Sequence, residues 1–279
     1  MDDHDQAQGA QTSLKSQRQI STASYSSHLQ FKTEAQEITI LLERGRRIEA
    51  RAWGNFDKPR YGECVFSTAM SGIEESLSDP SYFGQILVST IPHVGNTGFT
   101  FEDKESARVW ASGLICRKCT SNPSSWRAKT SLAQWMVDDN AFIVEGVDTR
   151  ELTIELRENG AQRAVLFKKD SMSTEEAMSF IEQNVPSMKN RCLIHDVSTK
   201  EVTPFREDEQ NYWPFQKIVG KSFSGKKVGV WDFGVKTNTL RILKSFGVDV
   251  WVFPSNSQAE DILSHQLDGM LLSLSLIHI

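Results

Sequence analysis

Gly62 to Gly98 reads GECVFSTAMSGIEESLSDPSYFGQILVSTIPHVGNTG, and the rest of the chain is arranged around it. Two β-rich runs, Gly62 to Ala69 and Gln85 to Ile91, flank a tight turn, Asp79-Pro80-Ser81-Tyr82. A loop dense in Pro, Gly and Asn, Pro92 to Gly98, closes the segment. Proline fixes φ and glycine permits positive φ, so this spacing forces the backbone into a defined shape between strands. A loop held by a rigid sheet is where binding residues usually sit.

Upstream, Glu37 to Leu42 is β-branched and apolar, and Arg46 to Trp53 alternates charged with apolar residues. The two runs predict a hairpin across Glu43-Arg44-Gly45 with one face in water. Residues 1–35 are rich in Gln, Ser and Asp and cannot bury enough apolar surface to order themselves, so a disordered tail is expected there.

Downstream, a strand is expected over Ala107 to Arg117. An amphipathic helix follows over Ser131 to Asp139, with Leu132, Trp135 and Met136 on one face. Phe142-Ile143-Val144 is a buried strand. Asp148, with Glu151 three residues on, starts a helix that Asn159-Gly160 ends. Ala164 to Phe167 is a strand, and Ser173 with Glu176 opens another helix. Residues 186–225 lose periodicity and hold three prolines, with Tyr212 and Trp213 as packing anchors; a connection between domains is expected.

From 226 the pattern changes. Lys227 to Gly234 is a near-continuous apolar strand, followed by a helix with Leu240 and Leu243 on its stripe. Val248 to Phe253 is the next strand, Ser257 with Glu260 caps a helix, and Gly269 to Ser273 begins a third strand. This β-α-β-α-β order predicts a doubly wound parallel sheet. An apolar edge on it would be an aggregation hazard.

Composition excludes several classes. The formal net charge of −5 and the lack of any Lys/Arg block argue against nucleic acid as a partner. No apolar run reaches the roughly 18 residues that span a bilayer, and the acidic N-terminus is unlike a secretory signal. Four cysteines make no disulfide framework, so a reducing cytoplasm is expected.

Individual residues promise little chemistry. Cys116-Arg117-Lys118-Cys119 has the spacing of half a zinc site, but no second pair exists, and two thiols at a strand end is the plainer reading. A metal-binding domain on that pair stays as a third option. Cys64 in an apolar strand reads as a small hydrophobe, and Cys192 has no histidine near it. His93 reads as a loop histidine without an assignable carboxylate partner. Ser81 is a turn hydroxyl. Asp232-Phe233-Gly234 lacks the other kinase elements and fits a strand-to-helix turn at the ligand-binding edge of a parallel sheet.

Taken in order, the motifs resemble the small, glutamine-hydrolysing subunit of carbamoyl-phosphate synthase, over about Glu37 to Ser273. They are Gly62-Glu63-x-Val65-Phe66, Gly72-x-x-Glu75, Asp79-Pro80-Ser81-Tyr82, Gly84-Gln85-Ile86 and Pro92-His93-Val94-Gly95-Asn96-Thr97-Gly98. Ser125-Trp126-Arg127, Gly146 to Thr153 and Asp232-Phe233-Gly234-Val235-Lys236-x-Asn238 complete the series. The resemblance implies a family-specific α/β domain with a mixed, β-rich sheet over 36–185. It implies the start of a class I glutamine amidotransferase domain over 226–279.

It also implies a reaction: L-glutamine is hydrolysed and the ammonia is channelled to a large synthetase subunit. That subunit, which holds ATP and Mg, makes carbamoyl phosphate from bicarbonate for pyrimidine and arginine synthesis. No cofactor on this chain is implied. The family's serine for the glutamine site matches Ser81. After Ser273 the family pattern continues into an Asn-Gly-Pro-Gly-Asp-Pro turn, whereas Leu274 to Ile279 stands here. The nucleophilic Cys and its His and Glu partners have no match, so this chain alone is expected to be inactive. A docking module for the large subunit is the alternative function.

Overall fold

The computed structural model describes residues 34–189, 191–206 and 223–273. The expected tail up to residue 33, the Tyr212-Trp213 anchors and the segment after Ser273 lie outside the described residues.

The first half is a closed barrel. In chain order its strands are β1 (Gln36–Leu42), β2 (Arg47–Trp53), β3 (Arg60–Ser67), β4 (Gln85–Ser89), β5 (Gly113–Ile115), β6 (Phe142–Glu145) and β7 (Gln162–Lys168). Around the ring they run β1-β2-β6-β5-β4-β3-β7 and back to β1. β3, β4, β5 and β6 are mutually parallel, and the other four pairings are antiparallel. The expected mixed sheet is thus closed on itself, which leaves it no open edge. The expected hairpin is β1–β2, turned at Gly45, whose φ of 88° suits glycine.

Period-two alternation decides what each face meets. Ile38, Ile40, Leu42, Ile86, Val88, Val144, Ala164 and Leu166 point into the barrel and form one buried cluster. Their neighbours point outward and are covered by helices. Leu41, Val165 and Phe167 pack under α4 (Thr174–Asn184) against Ala177 and Ile181. Leu87, Leu114 and Ile143 pack under α2 (Leu132–Asp138) against Leu132 and Met136. Burying a side chain such as Ile181 contributes roughly 1.5–3 kcal/mol. β2 keeps the half-solvated pattern, with Arg47, Glu49 and Arg51 outward.

α3 (Thr149–Asn159) adds Leu152 and Leu156 to the barrel interior. Asp148 caps it by accepting from Glu151 N at 3.1 Å, but Glu151 turns to Arg46 instead of back to the cap. Ser173 and Glu176 form a full capping box on α4. The remaining element of this half, α1 (Ile73–Ser78), has no counterpart among the sequence expectations.

The expected strand over 107–117 is only Gly113–Ile115. Upstream of it the amides are drawn elsewhere: Val109 N to the Asp139 carboxylate, and Trp110 N and Ala111 N to Leu77 O. Of these residues only Ala111 keeps a bridge, an isolated antiparallel one to Phe83.

The second half is a sheet ordered β11-β9-β10-β8. Its strands are β8 (Thr203–Pro204), β9 (Lys227–Trp231), β10 (Asp249–Phe253) and β11 (Gly269–Leu272). β9 pairs parallel with both β10 and β11, while β8 adds antiparallel to β10. β8 belongs to the segment expected as a connection, which also holds the short α5 (Ile194–Val197). Pro204, which cannot donate, sits in this outermost strand. The linking helices are α6 (Thr237–Ser245) and α7 (Ala259–Ser264). Ser257 does not cap α7; Gln258 stands at that position and makes no side-chain cap bond.

Candidate functional site

The Asp79–Tyr82 turn is built by its first two residues. Asp79 O accepts from Tyr82 N at 3.0 Å, closing the turn, and Asp79 Oδ1 accepts from Ser81 N at 2.9 Å. Pro80 supplies the fixed φ of the short 3₁₀ helix Pro80–Tyr82. Ser81 is therefore held on a braced turn and is half-buried.

The same carboxylate reaches into the second half. Asp79, only 5% exposed, takes Lys236 Nζ on its other oxygen at 2.7 Å. Burial alone would lower the Lys236 ammonium, but the hydrogen bond and charge of Asp79, with Glu105, outweigh it and hold the pKa above the usual value. Glu105 extends the junction. Its backbone oxygen accepts from Thr237 N at 2.8 Å, and its carboxylate accepts from Asn238 N at 2.8 Å. Arg241 donates to Glu102 O at 2.7 Å.

Lys236 is aimed by the strand-to-helix turn before it. Asp232, 5% exposed, accepts from Gly234 N and Val235 N on one oxygen and from Thr199 N on the other. Phe233 N donates to Ser273 Oγ at 2.8 Å. Gly234, with φ 102°, supplies a bend that a side chain would strain. The Ser81 turn and the Asp232–Lys236 turn are thus joined face to face. Sequence reasoning singled out Ser81 and the Asp232 turn separately and missed the ion pair. Its only signal is that both ends lie in motifs of the same series.

A second concave site gathers three more motifs. A cleft of about 350 Å³ is lined by Gly72, Glu74, Glu75, His93, Thr100 and Arg127, among others. His93, which had no assignable partner in the sequence, shares this cleft with three carboxylates, Glu74, Glu75 and Asp103. Burial pushes the Glu74 carboxyl up to about 7, against a single backbone hydrogen bond from Thr100 N at 2.8 Å that pulls the other way. Glu75 is also raised, by burial first. Arg127 is ion-paired with Asp103 at 2.6 Å.

The cysteines stand apart. Cys64 lies in the barrel interior, and burial pushes its thiol to about 12. Cys116 and Cys119 are buried and free; burial raises both thiols, Cys119 to about 12. Cys116 Sγ donates to Val144 O, and Cys119 N donates to Glu145, which also holds Arg51 and Lys118. A buried carboxylate with so many donors stitches the loop to β6. Among the described residues, no group of three or more His, Cys, Asp or Glu is placed to hold a metal ion. His195 contacts Ser255 at 3.0 Å. No helix of the described residues is long and apolar enough to cross a membrane.

The fold and site define an α/β protein in which a closed barrel presents a braced turn to the strand-to-helix turn that follows β9, the central parallel strand of a βαβαβ unit. Residues 40–166 match the family model for the carbamoyl-phosphate synthase small chain, CPSase domain. The carbamoyl phosphate synthase small chain of Pseudomonas syringae pv. tomato is 39% identical over 221 residues, covering 78% of this chain and 57% of that protein. That of Streptomyces avermitilis is 37% identical over 234 residues, covering 84% and 58%. That of Xanthomonas axonopodis pv. citri is 37% identical over 253 residues, covering 85% and 64%. The chain carries the carbamoyl-phosphate synthase small-chain CPSase domain over residues 40–166 and is similar to these small chains over 78–85% of its length. It spans about three fifths of the length of these relatives.

Proposed function

We propose that this chain forms the front part of a glutamine-hydrolysing small chain and contributes Ser81 to the glutamine site. The observation that carries the reading is the Asp79 carboxylate, which braces Ser81 N on one oxygen and Lys236 on the other. A small hydroxyl on a turn pinned this way suits holding a polar group of an amino acid with little entropy cost. The site lies at the C-terminal end of β9, where parallel sheets bind ligands.

On this reading, residues 36–185 are the family-specific domain, 186–225 the connection and 226–279 the beginning of a class I glutamine amidotransferase domain. Ammonia released from L-glutamine passes to a large synthetase subunit, which uses ATP, Mg and bicarbonate. The product, carbamoyl phosphate, serves pyrimidine and arginine synthesis in the cytoplasm. The chain itself binds without turning over. A nucleophilic cysteine must reach its thiolate, and three of the four here are buried with raised pKa.

The test is glutamine binding by ligand-observed NMR, with glutamate release measured in parallel. No glutamate is expected from the chain alone. Ser81→Ala should weaken binding about three- to tenfold, the worth of one hydrogen bond. Unchanged binding in Ser81→Ala overturns the assignment of that residue. Turnover that is lost on substituting one of the four cysteines overturns the claim of inactivity.

A second reading is a docking module for the large subunit, favoured by the barrel's closed ring of strands and its own buried clusters. Retention of residues 36–225 on immobilised large subunit supports it, and failure to bind counts against it.

A further inference from the structure

The barrel carries another concave site, separate from the Ser81 junction. A cleft of about 600 Å³ is lined by Thr90, Pro92, Arg117, Asp148, Arg150 and Arg157, with Thr149, Thr153 and Ile154 between them. It is divided from the Glu74 cleft by one loop segment, Thr90 to His93. Thr90 and Pro92 face this side, while Ile91 and His93 line the other.

We propose that this cleft binds a small polyphosphate or phosphorylated molecule through Arg117, Arg150 and Arg157. Three guanidiniums converge here against one carboxylate, in a chain whose formal net charge is −5. Their existing pairings are loose. Arg117 Nη1 stands 3.9 Å from Asp148 Oδ2, and Arg157 Nη2 stands 3.7 Å from Glu158 Oε1, all four side chains being more than half exposed. Planar guanidinium forks match phosphate oxygens bidentately, which makes such a cluster selective for that chemistry.

Three further observations agree. The Asp148 carboxyl is held below its usual value by the Glu151 backbone hydrogen bond first, and Arg117 adds a smaller contribution in the same direction. The volume falls in the range of small-molecule sites and exceeds what a single oxyanion fills. Pro92 and the part-exposed Ile154 give an apolar wall for the carbon portion of the ligand.

Because Asp148 already occupies the start of α3, the arginines and not the helix terminus carry the recognition. Their exposure makes substitution safe for the fold.

The experiment is calorimetric titration of the full chain with pyrophosphate at constant ionic strength. Saturable binding below about 1 mM is expected. Arg150→Gln and Arg117→Gln should each weaken it about tenfold, and Lys244→Gln, a surface cation elsewhere, should leave it unchanged. Absence of binding up to about 10 mM overturns the proposal. So does equal weakening by Lys244→Gln, which would mean general surface charge. Binding of hexaglutamate in place of pyrophosphate, with the same arginine dependence, also overturns it and reassigns the cleft to an acidic protein segment.

Discussion

Glu74 is the residue whose burial has the clearest thermodynamic consequence. Its carboxyl is 4% exposed and rises from 4.5 to about 7, burial being the main cause, with Asp103 and Glu75 adding to it. The folded protein therefore holds this proton more tightly than the unfolded chain does. The cost of burying the charge is absent below about pH 4.5, grows through the window and is complete above about pH 7. Glu74→Gln keeps an oxygen for Thr100 N and removes the titration. The variant should gain on the parent as pH rises from about 4.5 to 8, ending about 1–3 kcal/mol more stable in urea unfolding. A gap independent of pH would show that Glu74 does not carry the shift. At this scale the sequence was a partial guide. The Asp-Pro-Ser-Tyr turn was readable because proline and the Asx hydrogen bond are local. The Lys236 partner of Asp79 was not, because nothing local encodes a contact made only when two distant turns meet.

Among elements, β5 shows how tightly the barrel is built. Gly113 lies against the Phe142 ring, and a Cβ there would come within 2.5 Å of its carbons. Phe142 is wholly buried, so the ring cannot swing into solvent. Gly113→Ala should cost about 1–3 kcal/mol by overpacking, read as a lowered urea midpoint with an unchanged slope. A neutral result would mean that the β5–β6 pair can spread. The sequence announced most strands and the long helices, since β1 and β7 are written as β-branched or apolar runs, β2 as a period-two alternation, and α3 and α4 as capped 3.6-residue stripes. It missed α1, which has six residues, begins at a left-handed Gly72 and lacks a side-chain cap. It overran β5 because Val109, Trp110 and Ala111 satisfy their amides on Asp139 and Leu77. It credited Ser257 with a cap that Gln258 occupies, a one-residue offset with no energetic signature in the sequence.

For the whole molecule, the two halves differ in how their strands end. The barrel's seven strands each have two hydrogen-bonded neighbours, and helices cover much of its outer surface. Closure came from the pairing of β1 with β7 and of β2 with β6, contacts between distant segments that no local pattern specifies. The second sheet leaves β11 and β8 at its edges among the described residues. No residue of β11 is fully buried, Leu272 and Leu263 are 49% and 76% exposed, and α7 has no buried residue. Opening free energy follows local burial and the protection of backbone hydrogen bonds. In hydrogen–deuterium exchange, the amides of β1, β3 and β7 should therefore exchange slowest. Those of β11 and α7 should exchange at least about tenfold faster, with β9, paired on both sides, between them. Because an unpaired strand edge also templates association, added concentration should slow exchange in β11 before any barrel strand. Equal protection of β11 and β1 in dilute solution would mean that the second sheet is braced by contacts beyond its own strands, and the edge argument would fail.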